Sequence, residues 1–112
     1  MNPADMASHA DAAESLLKAM ANRHRLMILC YLVAGERSVG ELNRDIALSQ
    51  SSLSQHLARL RDDGLVKTRR DGQTIHYSIC AGPATRVMET LHEAFCASAD
   101  DSTAGAAKGA TT

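Results

Sequence analysis

Aromatic side chains are nearly missing: the 112-residue chain has no tryptophan, one phenylalanine and two tyrosines. Its core must be built from Leu, Ile, Val, Met and Ala, which suits packed helices. Cysteine is scarce and scattered, with Cys30, Cys80 and Cys96 and no C-x-x-C pair. An odd, widely spaced set excludes a structural disulfide framework. Without a C-x-x-C, a glycine-rich cofactor loop or a glycine or proline setting for a turn cysteine, a small thiol reductase or peroxidase is disfavoured, and no enzyme or cofactor is expected. The longest apolar run, Leu26 to Ala34, is too short to span a bilayer, and no signal peptide is present, so a cytoplasmic location without membrane contact is expected. The length suits one small domain.

A charge of one sign is lacking too, the net value being −1. The distribution is more informative: residues 1–14 carry −3 and residues 81–112 carry −2, which leaves +4 on the segment from Ser15 to Cys80. A basic middle between acidic ends is compatible with nucleic-acid binding by one face.

The most telling stretch runs from Ser49 to Arg61. Leu53, Leu57 and Leu60 recur at i, i+4, i+7 and predict the buried stripe of one helix. Opposite them lie Ser51, Ser52, Gln55 and Arg59, with Gln50, Ser54 and His56 beside them near the N-terminal half. A solvated face usually carries Glu and Lys, which favour helices, and serine does not. Short hydroxyls and amides are the groups that read base edges in the major groove, so the stretch reads as a recognition helix. A polar surface helix that is merely serine-rich fits the same pattern.

Residues 1–9 are expected to be flexible, and a first helix is expected from about Ala10 to Met20, its apolar face made by Ala13, Leu16, Leu17 and Met20. Asn22 is a suitable N-cap for a second helix with an inner stripe of Leu26, Leu29, Cys30 and Val33, ending at Gly35. Arg23 and Arg25 sit unfavourably in its first turn, where they are either solvated or answering an outside anion. Ser38-Val39-Gly40-Glu41 predicts a capping box that opens a third helix through Ile46, and the tight link to Ser49 makes a helix-turn-helix. After Gly64, Leu65–Arg69 and Thr74–Ile79 look like strands joined across Arg70-Asp71-Gly72-Gln73, a hairpin carrying Lys67, Arg69, Arg70 and Gln73 toward DNA. Pro83 suits the first turn of a last helix with a stripe of Val87, Met88, Leu91 and Phe95.

The expected fold is mainly α with a two-stranded β-wing, a winged helix-turn-helix in the order α-α-α-α-β-β-α. The domain spans residues 10–97, and residues 98–112 are expected to be a disordered tail. The stripes of the first and last helices lack a partner in so small a domain. A symmetric homodimer through Leu16, Leu17, Val87, Met88, Leu91 and Phe95 would bury both.

With these elements placed, residues 12–97 resemble the ArsR/SmtB family of small dimeric winged-helix repressors. The resemblance is carried by Leu17-Lys18-Ala19-Met20-Ala21-Asn22-Arg23-His24-Arg25-Leu26, Leu48-Ser49-Gln50-Ser51-Ser52-Leu53-Ser54-Gln55-His56-Leu57, Leu60-Arg61-Asp62-Asp63-Gly64-Leu65-Val66 and the wing. It implies a repressor on pseudo-palindromic double-stranded operator DNA. The family's Cys-Val-Cys metal motif falls at Ser38-Val39-Gly40, and its Asp-x-His falls near Ala81 and Pro83, so neither familiar metal site has its ligands. Leu29-Cys30-Tyr31-Leu32 and Leu91-His92-Glu93-Ala94-Phe95-Cys96 instead resemble the non-metal dithiol branch of biofilm-growth-associated and sulfide-responsive repressors and HlyU regulators. That likeness implies that Cys30 and Cys96 sense reactive sulfur species or oxidants, forming a disulfide or polysulfide bridge that lowers DNA affinity. Two small buried hydrophobes are the bland alternative for the same cysteines, and Cys80 matches no sensing position. A metal sensor using Cys30, His92 and Cys96 stays open as a second reading.

Overall fold

The computed structural model describes residues 1–96, which fall into two compact units, residues 1–80 and a second beginning at Ala81. The tail expected at 98–112 lies outside the described residues.

Helix α1 spans Pro3–Met20, so the segment expected to be flexible up to residue 9 is helical from residue 3. The start signal is local: Asn2 Oδ1 accepts from the Ala4 amide at 2.9 Å, and Pro3 supplies a preset φ at a position whose N–H would be unused. Helix α2, Arg23–Ala34, opens on Asn22, whose Oδ1 accepts from the amides of His24 at 2.9 Å and Arg25 at 3.1 Å. Its inner face is Arg25, Ile28, Leu29 and Leu32. Of the stripe expected from sequence only Leu29 is in the core; Leu26 is half-buried, and Cys30 and Val33 are exposed. Because α2 is apolar on nearly every side, periodicity does not select its face. Arg25 does, by finding carbonyl partners at the end of α1.

Helix α3, Val39–Asp45, begins in the expected capping box: Glu41 Oε1 accepts from the Ser38 amide at 2.8 Å, and Ser38 Oγ accepts from the Glu41 amide at 3.2 Å. Four residues then lead to α4, Gln50–Asp62. That turn is pinned by Asn43, whose Nδ2 donates to the Leu48 carbonyl at 2.9 Å. Leu53, Leu57 and Leu60 of α4 are fully buried. The helix ends in a Schellman arrangement, with the Leu65 amide bonded to the Leu60 carbonyl and Gly64 at φ 76°, where a side chain would be strained.

The hairpin is longer than expected. Strands β2, Val66–Asp71, and β3, Thr74–Ile79, pair antiparallel from Val66↔Ile79 to Asp71↔Thr74, leaving Gly72 and Gln73 as a two-residue turn with Gly72 at φ 65°. A third strand joins them. Arg37–Ser38, here β1, pairs with β3 as Arg37↔Tyr77 and Ser38↔His76, so the sheet order is β1-β3-β2 and the element order α-α-β-α-α-β-β-α. Two residues are too few to show an alternating pattern in sequence. In the second unit α5 spans Pro83–Phe95 with Ala84 and Met88 buried.

The observed face of α2 gives a direct test. Leu32→Ala should cost about 2–5 kcal/mol in urea unfolding, whereas Val33→Ala should stay within about 0.5 kcal/mol. Equal costs would restore the stripe expected from sequence.

Candidate nucleic-acid interface

With its leucines buried, α4 must turn its other side outward, and Gln50, Ser51, Ser54, Gln55 and Arg59 are exposed. The serines divide by role. Ser49 is the N-cap, its Oγ accepting from the Ser52 amide at 3.1 Å and donating to Ser52 Oγ at 3.0 Å. Ser52 is accordingly half-buried and tied to the cap. Arg59, one helical turn before Asp63, pairs with it at 3.0 Å, which holds its charge at the C-terminal end of the helix.

His56 departs from its expected position on the reading face. Its ring is half-buried against α2, with Nδ1 at 3.4 Å from Arg25 Nη1 and the His24 ring centroid at 5.8 Å. Desolvation, then the Arg25 charge, then His24 hold its pKa below the ordinary histidine range. Arg25 is buried, at 9% exposure, and its Nε donates to the Ala19 carbonyl at 2.7 Å. It is neither solvated nor turned to an outside anion, the two options open from sequence. Residues 25, 28, 29 and 32 share the i, i+3, i+4, i+7 spacing of one face, but so do 26, 29, 30 and 33, and spacing does not choose between them.

The wing is braced by an ion pair invisible to local pattern. Arg69, on β2, donates from Nη2 to Glu36 Oε1 at 2.8 Å and from Nε to Oε2 at 3.0 Å, across the intervening β3. This fork-to-fork pairing raises the Arg69 pKa and lowers that of Glu36. The brace is therefore present above the ordinary Glu pKa and lost as acid protonates Glu36. Arg69, expected as a phosphate contact, has its charge answered within the chain. Lys67, Arg70 and Gln73 are exposed. A cleft of about 530 Å³ between α4 and the wing is lined by Gln50, Ser54 and Gln73, among others. It brings together three of the residues expected to meet DNA.

On α1, Leu16 is half-buried and Leu17 is 54% exposed, beside an apolar groove that also takes in Met6, Ala10 and Ala13. On α5, Val87 and Leu91 are half-buried and Phe95 is 72% exposed, whereas Met88 is already buried. Cys30 and Cys96 are both exposed thiols, and Cys80 is half-buried. Among the described residues, no three His, Cys, Asp or Glu side chains are grouped to hold a metal ion. No helix among them is long and apolar enough to cross a membrane.

A short helix, a pinned turn, a second helix with a polar outer face and a hairpin beside it define a winged helix-turn-helix DNA-binding regulator. Residues 22–68 match the model of the family described as bacterial regulatory protein, arsR family. The transcriptional activator HlyU of Vibrio cholerae is 50% identical over 96 residues, 86% of this chain and 89% of that protein. A structure of reduced HlyU from that organism, 50% identical, has a TM-score of 0.78 and covers 82% of this chain and 97% of its own. The biofilm growth-associated repressor of Xylella fastidiosa is 41% identical over 97 residues, 87% of this chain and 85% of that protein. The crystal structure of the repressor BigR from that organism, also 41% identical, has a TM-score of 0.82 and covers 87% of this chain and 99% of its own. The homodimeric winged helix-turn-helix DNA-binding domain Mb0332 of Mycobacterium bovis is 31% identical with a TM-score of 0.68, covering 77% of this chain and 80% of its own. This chain belongs to the arsR family of bacterial regulatory proteins, in the branch of HlyU and BigR. It is a DNA-binding transcriptional regulator and not an enzyme.

The brace separates two arginines that look alike in sequence. Arg70→Ala should flatten the dependence of log Kd on log salt by about one unit, and Arg69→Ala by less, because Glu36 already neutralises it. Glu36→Gln should steepen the slope. Salt titrations of duplex binding check all three, and equal slopes for the two arginine variants would deny the brace any influence on DNA.

Proposed function

We propose that the chain is a homodimeric repressor that reads a pseudo-palindromic operator with α4 and releases it when Cys30 and Cys96 of one subunit are oxidised together. Gln50, Ser51, Ser54 and Gln55 read bases, the hydroxyl of Ser52 serves mainly the cap, and Lys67, Arg70 and Gln73 position the wing. The apolar stripes of α1 and α5 join two copies, as the homodimeric state of the Mycobacterium bovis relative supports. A dimer places two recognition helices about one duplex turn apart, so a small shift weakens both half-sites at once.

The observation that carries the sensing is that Cys30 and Cys96 are exposed thiols in sequence settings like those of the HlyU and BigR branch. That HlyU is known in a reduced state adds support. A thiolate of one cysteine takes the outer sulfur of a persulfide, giving Cys–S–SH and releasing a thiolate. The second thiolate then attacks the inner sulfur, forming the disulfide and expelling hydrosulfide. Where both cysteines are persulfidated, their joining gives a trisulfide and hydrogen sulfide. A disulfide demands α-carbons within about 7 Å, and an inserted sulfur relaxes that limit. A pair held slightly wide therefore favours sulfur donors over peroxide.

Two sets of variants test this reading. Gln55→Ala should cost about 1–3 kcal/mol on a selected duplex and relax base preference, and unchanged specificity would displace α4 as the reader. Cys30→Ser and Cys96→Ser should bind DNA as the reduced protein does and no longer release it under persulfide, while Cys80→Ser should still respond. Mass spectrometry of each treated protein reports the bridge directly. Release from a Cys30/Cys96 double variant would overturn the switch, and release driven by zinc would favour the metal reading.

A further inference from the structure

Three elements of the first unit meet at one guanidinium. From α2, Arg25 donates through Nε to the Ala19 carbonyl at 2.7 Å and through Nη2 to the Lys18 carbonyl at 3.4 Å, both in the last turn of α1. Those carbonyls are among the last of a helix, where partners inside the helix run out. Its third nitrogen, Nη1, lies 3.4 Å from His56 Nδ1 on α4. Arginine can only donate, so this contact is favourable only when Nδ1 is unprotonated and accepts.

We propose that Arg25 is a positioning residue for DNA binding, holding α4 to the end of α1 through His56, and that this hold requires His56 to be neutral. The proposal rests on the reading of α4 as the DNA-facing helix. Protonated His56 has two donors and no acceptor, so the 3.4 Å contact becomes one between two donors and two cations. Arg25 cannot yield, since its charge persists at any working pH and two carbonyls fix it. The His24 ring, 5.8 Å away on α2, adds a second titratable group on the same side of His56. On α4 itself, Arg59 and Asp63 act on Arg25 with opposite sign. Burial, the Arg25 charge and His24, the influences that reach His56, all oppose a proton there.

The sign follows. A histidine held below its ordinary range contributes its contact in full above about pH 6.5 and loses it as pH falls through the lowered value. DNA affinity should fall on acidification. Added positive charge on a protein ordinarily strengthens its hold on phosphate, so the expected change runs against the general trend.

The experiment uses the full chain and a duplex that the wild type selects from a randomised pool at alkaline pH, with binding read by fluorescence anisotropy. Wild-type affinity should drop about fivefold or more between about pH 8 and pH 5.5, across the histidine range. His56→Gln offers Arg25 a neutral side-chain carbonyl, so it should match the wild type at the higher pH and lose the acid drop. His24→Gln should retain it. Arg25→Lys keeps the charge without the fork and should bind weakly at both pH values, with circular dichroism showing it folded. A pH-independent wild type, or an acid drop that survives in His56→Gln, would overturn the proposal while leaving α4 as the reader. A wild type that selects no duplex would refute the reading of α4 and the proposal with it.

Discussion

Burial of Leu53, Leu57 and Leu60 is the constraint on which the DNA-facing surface depends. Each fully buried leucine contributes about 1.5–3 kcal/mol relative to exposure, and the three sit on one side of a single helix. A rotation of α4 that moved Ser51 or Gln55 inward would take these leucines out of the core. The polar face is thus oriented by what lies behind it, and its weak helix formers are tolerated because packing rather than propensity holds the helix. Ser49 and Gly64 then set where the helix begins and ends.

Around that helix, charge is used mainly for position. Arg25 ties α2 to α1 from inside, Arg69 ties the wing to the turn before β1, and Arg59 is held by Asp63. Arg37 pairs with Asp45 at 3.5 Å and lies over the Tyr31 ring at 5.4 Å. Glu36, Asp45 and Asp63 are already subtracted in the +4 of the basic middle, so these pairs decide where its charge lies and not how much there is. At the wing, Lys67 and Arg70 are exposed, whereas Arg69 is paired with Glu36.

Cys30 and Cys96 stand apart from the packing of the fold. The core excludes both Cys30 and Cys96, so chemistry at either thiol need not open the aliphatic interior. A buried thiol would be shielded from a soluble sulfur donor, whereas an exposed one meets it without local unfolding. The switch proposed above depends on this, because its modification must be reversible and the fold must survive it.

The sequence by itself determined the helix-turn-helix, the capping box at Ser38 and Glu41, the stripe of α4 and the presence of a hairpin. All of these rest on interactions within a few residues or on one clean period, which a linear reading captures. The start of α1 is equally local, in Asn2 and Pro3, but lies outside the apolar stripe that marks the rest of the helix. The face of α2, the third strand, the position of His56 and the pairing of Arg69 were decided by tertiary structure. Their partners lie far off in sequence, Glu36 from Arg69 and Arg25 from His56, or on a helix apolar on nearly every side. No local pattern records such choices, because the deciding free energy is that of burying or pairing a charge at a place that exists only after the chain has folded.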